Sequence, residues 1–222
     1  MISLSNRLRA IEDWIDTDVL ADVGCDHGYL CCSAVLKKKA KRAYACDIAQ
    51  GPLDSARETI AENHLEDVVT PILCNGLEKV PADVTQTVIA GMGGLNMISI
   101  LEEAPFISKS LLLSPHKDAP RLRQWLLDHG FDIERERIVL EDGHFYPILL
   151  ASRTDSDRVQ PVLPEELEYG IHLEDSADAR ACLENRAAFW KATAEKMPVH
   201  SRESAVRKEQ AARSLLARLK NE

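Results

Sequence analysis

Three short stretches of the chain combine glycines with acidic or polar residues at spacings that suit a small charged ligand. They are DVGCDHG (22–28), CNG (74–76) and AGMGG (90–94). Each follows an apolar run, and Asp47 ends a further apolar run between the first two. Taken alone, each stretch is equally typical of a turn or a helix start. Together, in this order after successive apolar runs, they favour a site for a nucleoside cofactor.

The glycine spacing of the first stretch distinguishes between cofactors. Its glycines give G-x-x-x-G, whereas a dinucleotide loop reads G-x-G-x-x-G because the middle glycine lets the backbone approach a pyrophosphate. Asp22 and Asp26 would also repel phosphate. S-adenosylmethionine carries no phosphate, its carboxylate can use N–H groups at a helix start, and its positive charges favour nearby carboxylates. The stretch therefore predicts S-adenosylmethionine.

Asp47 and the CNG stretch supply the other contacts expected for this cofactor. A carboxylate at Asp47 can accept hydrogen bonds from both ribose hydroxyls, and Asn75 with Gly76 would lie beside the adenine ring. The alternatives are that Asp47 caps the next helix and that Asn75–Gly76 is only a turn. The predicted cofactor-binding residues are Asp22, Gly24, Cys25, Asp26, His27, Gly28, Asp47, Ile48, Asn75, Gly76, Ala90 and Gly91.

The elements that must position these residues alternate between short apolar strands and amphipathic helices. Strand and helix alternate five times, which predicts an α/β fold with a doubly wound, mostly parallel sheet. Residues 131–153 then predict two strands joined around Asp142–Gly143, a hairpin that places an antiparallel strand in the sheet. Ligands in such sheets bind at the carboxyl ends of the strands, near the switch in strand order, where loop 22–28 is expected.

The alternation stops at TDSDRVQPVLPEE (154–166), which is polar and contains two prolines. We place a boundary there, between a main domain of residues 1–157 and a C-terminal extension of residues 158–222. Apolar residues at helical spacing on either side of Pro198 predict that the extension is a helical hairpin. It is too small to fold alone, so we expect it to pack on the main domain or on a partner.

Composition limits the remaining classes of function. The chain has 222 residues, of which 45% are hydrophobic, and the charged N-terminus and short apolar runs do not resemble a signal peptide or a membrane span. Six cysteines include no CxxC pair, so we expect buried thiols and no metal, although His27 lies near three of them. The net charge of −9 argues against general nucleic-acid binding, but KKKAKR (37–42) and the C-terminal arginines concentrate positive charge.

The motifs LSNRLRAI, ADVGCDHGYL, CNGLE, IAGMGG, LRQWLLDHGFDI and EDGHFYPILLA occur in this order and resemble the bacterial tRNA (adenine-N1) methyltransferases that modify adenine 22. The resemblance covers roughly residues 4 to 151. It implies a seven-stranded domain that binds S-adenosylmethionine, tRNA as substrate, and a helical extension that helps to hold tRNA. The chain departs from the family pattern after the fifth strand, where Ser114-Pro115-His116 replaces Gln-Pro-Asn.

Neutral adenine already carries a lone pair on N1, so the enzyme chiefly has to align N1 with the methyl group. The product ring is cationic, and a carboxylate would stabilise its developing charge. Asp26 is the predicted catalytic residue, with Met92 and Gly93 shaping the pocket; Asp26 binding the cofactor's ammonium group is the equal alternative. His27 could act as a general base, but a structural histidine is the preferred interpretation.

N1 lies on the base-pairing edge, so the adenine must leave its pairing and a basic surface would hold the RNA. The predicted RNA contacts are Arg7, Lys37, Lys38, Lys39, Lys41, Arg42, His116, Arg202, Arg207, Lys208 and Arg213. We expect a monomer in the cytoplasm. The alternative functions are a methyltransferase with another substrate, a catalytically silent RNA-binding module and, least consistent with the loop, a dinucleotide-dependent oxidoreductase.

Overall fold

The computed structural model describes residues 2–154 and 161–219. Seven strands in these ranges form one sheet: β1 Thr17–Val23, β2 Ala40–Asp47, β3 Val69–Leu73, β4 Gln86–Met92, β5 Ser110–Pro115, β6 Phe131–Glu141 and β7 His144–Arg153. Their order across the sheet is β3-β2-β1-β4-β5-β7-β6. The switch in strand order lies between β1 and β4, as expected for a doubly wound sheet.

Among the helices of the described ranges, α1 precedes β1, α2 to α5 follow β1, β2, β4 and β5 in turn, and α6 to α8 come after β7. Their bounds are α1 Asn6–Glu12, α2 Tyr29–Leu36, α3 Gln50–Glu62, α4 Gly94–Glu103, α5 Ala119–Asp128, α6 Pro164–Tyr169, α7 Ala177–Lys196 and α8 Glu203–Leu219. Apolar residues of α1, α2 and α3 form a core on one face of the sheet, and those of α4 and α5 form a second core on the other face. Because β1 is covered on both faces, its last five residues are all buried. None of the described helices combines the length and apolarity that a bilayer span requires.

The predicted hairpin is confirmed. Asp142 and Gly143 both have positive φ and connect β6 to β7. β7 pairs antiparallel with both β5 and β6, so it is the antiparallel strand of the sheet. This connection brings the turn at Asp142–Gly143 toward the edge of the sheet at which β1, β4 and β5 end.

The helical extension is fixed to the sheet by a buried ion pair between Arg123 of α5 and Glu136 of β6. Two nitrogens of Arg123 donate to the two Glu136 oxygens, each at 2.8 Å, and both side chains are almost completely buried. Arg123 also donates to the carbonyl oxygens of Leu167 and Glu168 at 3.0 and 3.1 Å. Glu136 accepts the Ile171 N–H at 2.7 Å. We call these five residues the junction.

The predicted helical hairpin is confirmed as α7 and α8, which are separated by Pro198 and a 3-10 turn at Val199–Ser201. Their shared core includes Leu183, Ala212 and Leu215. The sequence reasoning missed α6, a short helix that begins with a proline inside the stretch interpreted as a linker. The predicted boundary between residues 157 and 158 lies outside the described residues.

Candidate active site

The loop after β1 lies across the carboxyl end of β2. The N–H groups of Gly24 and Cys25 both donate to the carbonyl oxygen of Cys46, at 2.9 and 3.0 Å. Gly28 then caps α2 with φ of 66°. A Cβ at this position would lie 3.1 Å from Cβ of Ala56, so the close approach of α3 also requires glycine there. The N-terminal N–H groups of α2 therefore lie at the strand ends, where an anionic group can bind.

Three carboxylates accompany this loop, and their environments differ. Asp22 is 5% exposed; burial raises its pKa to about 7, a hydrogen bond from the Cys31 thiol opposes this, and the nearby Asp47 charge adds to it. Asp47 is tied to the loop, because its two oxygens accept the N–H groups of Asp26 at 3.3 Å and Ala49 at 2.9 Å. The Asp26 side chain is 71% exposed. The site thus has one buried, one anchored and one exposed carboxylate.

A cleft of about 270 Å³ opens between this loop, α1 and the end of β4. It brings together most of the predicted residues from the first and third glycine stretches, and it adds Leu8, Tyr29 and Leu30. The predicted residues that line it are Arg7, Asp22, Gly24, Cys25, Asp26, His27, Ala90 and Gly91.

His27 and Tyr29 form a stacked pair at the rim of this cleft. Their ring centroids lie 5.1 Å apart with an interplanar angle of 12°. The Nε2 atom of His27 lies 3.8 Å from Asp26 Oδ2. His27 is therefore fixed by ring stacking and by its acidic neighbour, whereas the sequence suggested a histidine that holds the loop through a ring hydrogen bond.

Arg7 of α1 reaches over the strand ends and forms the opposite wall. Its backbone N–H donates to Glu141 at 3.0 Å, and its guanidinium lies 4.9 Å from the ring centroid of Tyr146. Its Nη1 atom lies 4.0 Å from the position that a Cβ on Gly91 would occupy. The side chain of Arg7 is thus held directly beside the end of β4.

His116, the residue that departs from the family pattern, is held by Arg7. Nη1 of Arg7 lies 3.1 Å from His116 Nε2. Arginine only donates hydrogen bonds, so this Nε2 is an acceptor and the neutral ring carries its proton on Nδ1. Partial burial lowers the pKa of His116, and the Arg7 charge lowers it further. This strand end therefore presents a neutral imidazole to the cleft region.

Met92 and Gly93, the predicted pocket-shaping residues, lie between the two walls. The Met92 methyl carbon is 3.5 Å from where a Cβ on Gly24 would be, so Met92 packs against the first loop. A Cβ on Gly93 would lie 2.9 Å from Cε of Lys117. Lys117 therefore extends across Gly93, and a side chain at this position would displace it.

The remaining predicted cofactor-binding residues do not line this cleft. Asn75 and Gly76 follow β3 and line a separate cleft of about 340 Å³ with Ile100 of α4. They are linked to the first loop through Asp47, whose carbonyl oxygen accepts the Cys74 N–H at 3.0 Å. Ile48 is 70% exposed beside Asp47. The order along the sheet edge is thus that expected for a nucleoside, with the CNG stretch farthest from β4.

The structure does not bring the basic run 37–42 to the cleft. The Thr17 N–H, at the start of β1, donates to the Lys39 carbonyl oxygen, so the run lies at the amino ends of the strands. A seven-residue strand separates this edge from the cleft by about 20 Å. Three of the five cations form salt bridges, namely Lys37 with Glu12, Lys41 with Asp18 and Arg42 with Asp83.

The predicted C-terminal RNA contacts lie around α8, and each has a partner within the protein. Arg207 pairs with Glu203, Lys208 with Glu168 and Arg213 with Glu209, while Arg202 donates to the Met197 carbonyl oxygen. Salt bridges on exposed helices are weak, so these cations can still exchange partners with phosphates. Their positive charge is nevertheless largely balanced locally.

Three residues of the site escaped the sequence reasoning: Glu141, Tyr146 and Lys117. Glu141 and Tyr146 flank the β6–β7 turn inside a motif that carried the family resemblance, but only the return of the hairpin shows that they reach the site. Lys117 follows the end of β5, and the rule that ligands bind at strand ends would have selected it. Within the described ranges, no group of three or more His, Cys, Asp and Glu side chains is placed to hold a metal ion.

Comparison with known proteins gives consistent matches over this domain. A family model described as a methyltransferase domain matches residues 4–149. The tRNA (adenine(22)-N(1))-methyltransferase of Bacillus subtilis is 35% identical over 161 residues, which cover 70% of this chain and 68% of that protein.

Solved structures resemble the whole described fold. Two crystal structures of a candidate tRNA (m1A22) methyltransferase from Streptococcus pneumoniae, one in complex with S-adenosyl-L-methionine, are 29% identical, with TM-scores of 0.88 and 0.84. Each match covers 96% of this chain and 100% of the other. The B. subtilis m1A22 tRNA methyltransferase is 26% identical in its crystal structure, with a TM-score of 0.77 and coverage of 100% and 99%.

Proposed function

The chain belongs to the tRNA (adenine(22)-N(1))-methyltransferase family, and from this membership we propose how its strand-end cleft performs the family's reaction. The enzyme transfers a methyl group from S-adenosylmethionine to N1 of adenine 22 in tRNA and releases S-adenosylhomocysteine. One observation supports the proposal most directly. Asp22, Asp26 and Asp47 converge around a loop that supplies backbone N–H groups but lacks the glycine a pyrophosphate needs.

The residues present fit this cofactor. Asp47 is fixed by Asp26 N–H and Ala49 N–H, and carboxylate oxygens have further acceptor positions for two ribose hydroxyls. The α2 N-terminus suits the carboxylate of the methionine portion. A pKa near 7 at Asp22 makes it a buried acid that a cationic ligand would ionise. We propose that Asp22 faces the ammonium group.

This assignment separates Asp22 from Asp26. Asp22 lies buried at the base of the cleft, whereas Asp26 is exposed at its mouth, on the side from which RNA must approach. We therefore assign Asp26 to the substrate, as the acceptor for the exocyclic amine and the stabiliser of positive charge on the ring. When bound, the cofactor supplies a methyl group on a positively charged sulfur, and N1 needs no base to remove a proton.

The other residues orient the adenine. Met92 and Gly93 limit the space at the end of β4, and Arg7 with Tyr146 closes the side toward α1. The His116 ring offers a donor at Nδ1 because its Nε2 is occupied by Arg7. Asparagine at this position would offer the base both a donor and an acceptor, whereas His116 offers only a donor.

The two parts of the chain divide the work in this proposal. Residues 1–157 bind the cofactor and carry out the transfer, and residues 158–222 hold tRNA through their basic helices. We propose that the enzyme acts as a monomer in the cytoplasm. Cations at 202–213 contribute salt-dependent contacts to phosphates. The run 37–42, which lies at the opposite edge, is given a smaller role than the sequence suggested.

The decisive experiment is transfer of labelled methyl from S-adenosylmethionine to unmodified bacterial tRNA. A matched tRNA carries guanine instead of adenine 22. Label in the first tRNA alone establishes the target. Label in neither, with S-adenosylhomocysteine still raising the melting temperature, would show a cofactor-binding protein that acts on another substrate or on none.

A further inference from the structure

A second cleft lies between the end of β5 and the helical extension, beside the active site. Its volume is about 170 Å³. It is bounded by the residues that follow β5, by β7 and by α6 and α7. This volume is below the roughly 300 Å³ at which pockets accept drug-sized ligands, so it suits a single planar ring. Of its lining residues, the transfer reaction proposed above uses only His116.

The inner walls of this cleft are aromatic and apolar. Phe145 and Pro147 of β7 form one wall, and Tyr169 and Trp190 of the extension form the other. Trp190 is half-buried and Lys208 lies 5.0 Å from its ring centroid, which leaves the ring held in place but still accessible from the cleft. Flat aromatic surfaces of this kind stack on nucleobases irrespective of their sequence.

The rim of the cleft is positively charged. Lys117 and Arg186 both line it, and within the described ranges neither forms a salt bridge with a carboxylate. This distinguishes them from the cations of α8, which are paired with glutamates. Two acidic side chains line the cleft, Glu168 and Asp118. Glu168 is neutralised by Lys208, whose Nζ lies 2.6 Å from Glu168 Oε1.

The cleft is continuous with the active site through two contacts. His116 lines it and also accepts the hydrogen bond from Arg7, which lines the cofactor cleft. Lys117 lines it and extends across Gly93 at the end of β4. The side chains of His116 and Lys117 therefore lie between this cleft and the active site.

We propose that this cleft binds an unstacked nucleotide of the tRNA that adjoins adenine 22. Its base lies against Trp190 and Phe145, and its phosphate lies at Lys117 and Arg186. The inference rests on the proposed function, because exposing N1 of adenine 22 requires the base to leave its stack, which also unstacks its neighbour. Stacking the neighbour on protein aromatics replaces the interaction that it loses.

The test combines protein variants with tRNAs that lack one base. Two tRNAs are made abasic on one or the other side of adenine 22, and tRNA KM and affinity are measured at saturating cofactor. With the wild-type enzyme, one of the abasic tRNAs should bind about 5- to 10-fold more weakly than intact tRNA. In the Trp190→Ala variant, removing the same base should weaken tRNA binding by less than about twofold, because the protein variant and the abasic tRNA both lack the same stacking contact.

Arg186→Ala is a second variant that does not disturb the aromatic wall. It should weaken the binding of intact tRNA by about 5-fold and reduce the salt dependence of that binding. The kcat and the KM for S-adenosylmethionine should be unchanged. Lys191→Ala is the matched control, since Lys191 is an exposed cation on the same helix that does not line the cleft. Thermal unfolding confirms that each variant is folded.

The outcomes separate this inference from the proposed function. If Trp190→Ala retains the full abasic penalty and Arg186→Ala behaves like Lys191→Ala, the cleft is only a packing gap and the inference is wrong. If the wild type methylates no tRNA, the proposed function fails, and direct binding of the same abasic tRNAs still decides whether the cleft holds a nucleotide.

Discussion

The junction and the strand-end cleft both concentrate charged side chains, but they treat charge in opposite ways. At the junction, Arg123 and Glu136 are paired through two hydrogen bonds, and their further capacity is used by backbone groups of the extension. In the cleft, neither Asp22 nor Asp26 forms a salt bridge with an arginine or lysine of the described ranges, and Nε2 of His27 lies 3.8 Å from Asp26 Oδ2. A charged side chain whose partners lie within the protein indicates a structural role. A charged side chain without such partners indicates a role in binding a ligand.

The same comparison explains why burial alone does not identify a functional charge. Glu136 and Asp22 are both buried, but Glu136 accepts hydrogen bonds from Arg123 and the Ile171 N–H, whereas burial raises the pKa of Asp22 to about 7 because only a weak thiol contact opposes it. A buried carboxylate with strong donors is stable as an anion without any ligand. A buried carboxylate without them has a raised pKa, and a nearby cationic ligand favours its ionised form.

The largest effect is expected from breaking the junction. Glu136→Ala leaves the Arg123 charge buried without its partner, so the free energy of unfolding should fall by about 3–5 kcal/mol. Urea denaturation measures this loss. The double variant Arg123→Met/Glu136→Leu should lose less, because it removes both charges and leaves only the backbone partners of the pair without their hydrogen bonds. Equal losses in the single and double variants would contradict the view that an unpaired charge causes the effect.

Asp26→Ala tests the exposed end of the cleft. Removing a group that stabilises charge in the transition state should lower kcat by about 10²–10³-fold, while folding stability falls slightly because Asp26 has a positive φ of 51° that alanine tolerates less well. The dissociation constant for S-adenosylhomocysteine, measured by calorimetry, should change little. A rise in that constant with kcat preserved would instead assign Asp26 to the cofactor's ammonium group.

The raised pKa of Asp22 predicts a pH dependence of the folding stability. The folded protein binds this proton more tightly than the unfolded chain, whose aspartate has a pKa near 3.8. Stability from Asp22 is therefore fully present below about pH 4 and is lost as the pH rises toward about 7. Denaturation at several pH values should show this slope in the wild type and not in Asp22→Asn.

Cofactor binding should follow the opposite trend, since an ionised Asp22 attracts the ammonium group. Affinity for S-adenosylmethionine should increase by up to about tenfold per pH unit until about pH 7 and then level off. An affinity that is independent of pH in this window would place the ammonium group elsewhere.

The smallest effect is expected at the basic run 37–42. Lys38→Ala/Lys39→Ala should change tRNA affinity by less than about twofold and leave the salt dependence of binding unchanged, because the run lies at the edge opposite the cleft. Filter binding at several salt concentrations measures both quantities. A decrease of about two in the slope of log affinity against log salt would show that these lysines contact phosphates.

The sequence was most informative where chain order and spatial order coincide. Loop 22–28, Asp47 and Gly91 follow strands that are neighbours in a parallel sheet, so periodicity and glycine spacing were enough to place them on one edge. Long-range contacts were not accessible in this way. Neither the reach of Arg7 to His116 nor the return of Glu141 follows from any local pattern, because each depends on how the hairpin and α1 pack.

Charge patterning was the least reliable guide. KKKAKR is the densest basic run, but α2 runs back from the loop to the amino ends of the strands and carries it away from the site. Lys117 and Arg186 are isolated cations in the sequence, and only the fold brings them to one cleft. A run of charged residues predicts a charged surface, but the position of that surface depends on the direction of the helix that carries the run.

The hydrogen bond from the Arg7 N–H to Glu141 joins residues 134 positions apart. During synthesis at about 5–20 residues per second, the loop at 22–28 can meet β4 several seconds before Glu141 is made. The side of the site that faces the cofactor therefore leaves the ribosome before the side that faces the RNA. Because the core that packs α1, α2 and α3 also includes Leu112, Val139 and Ile148, neither side is complete until the β6–β7 hairpin has been made.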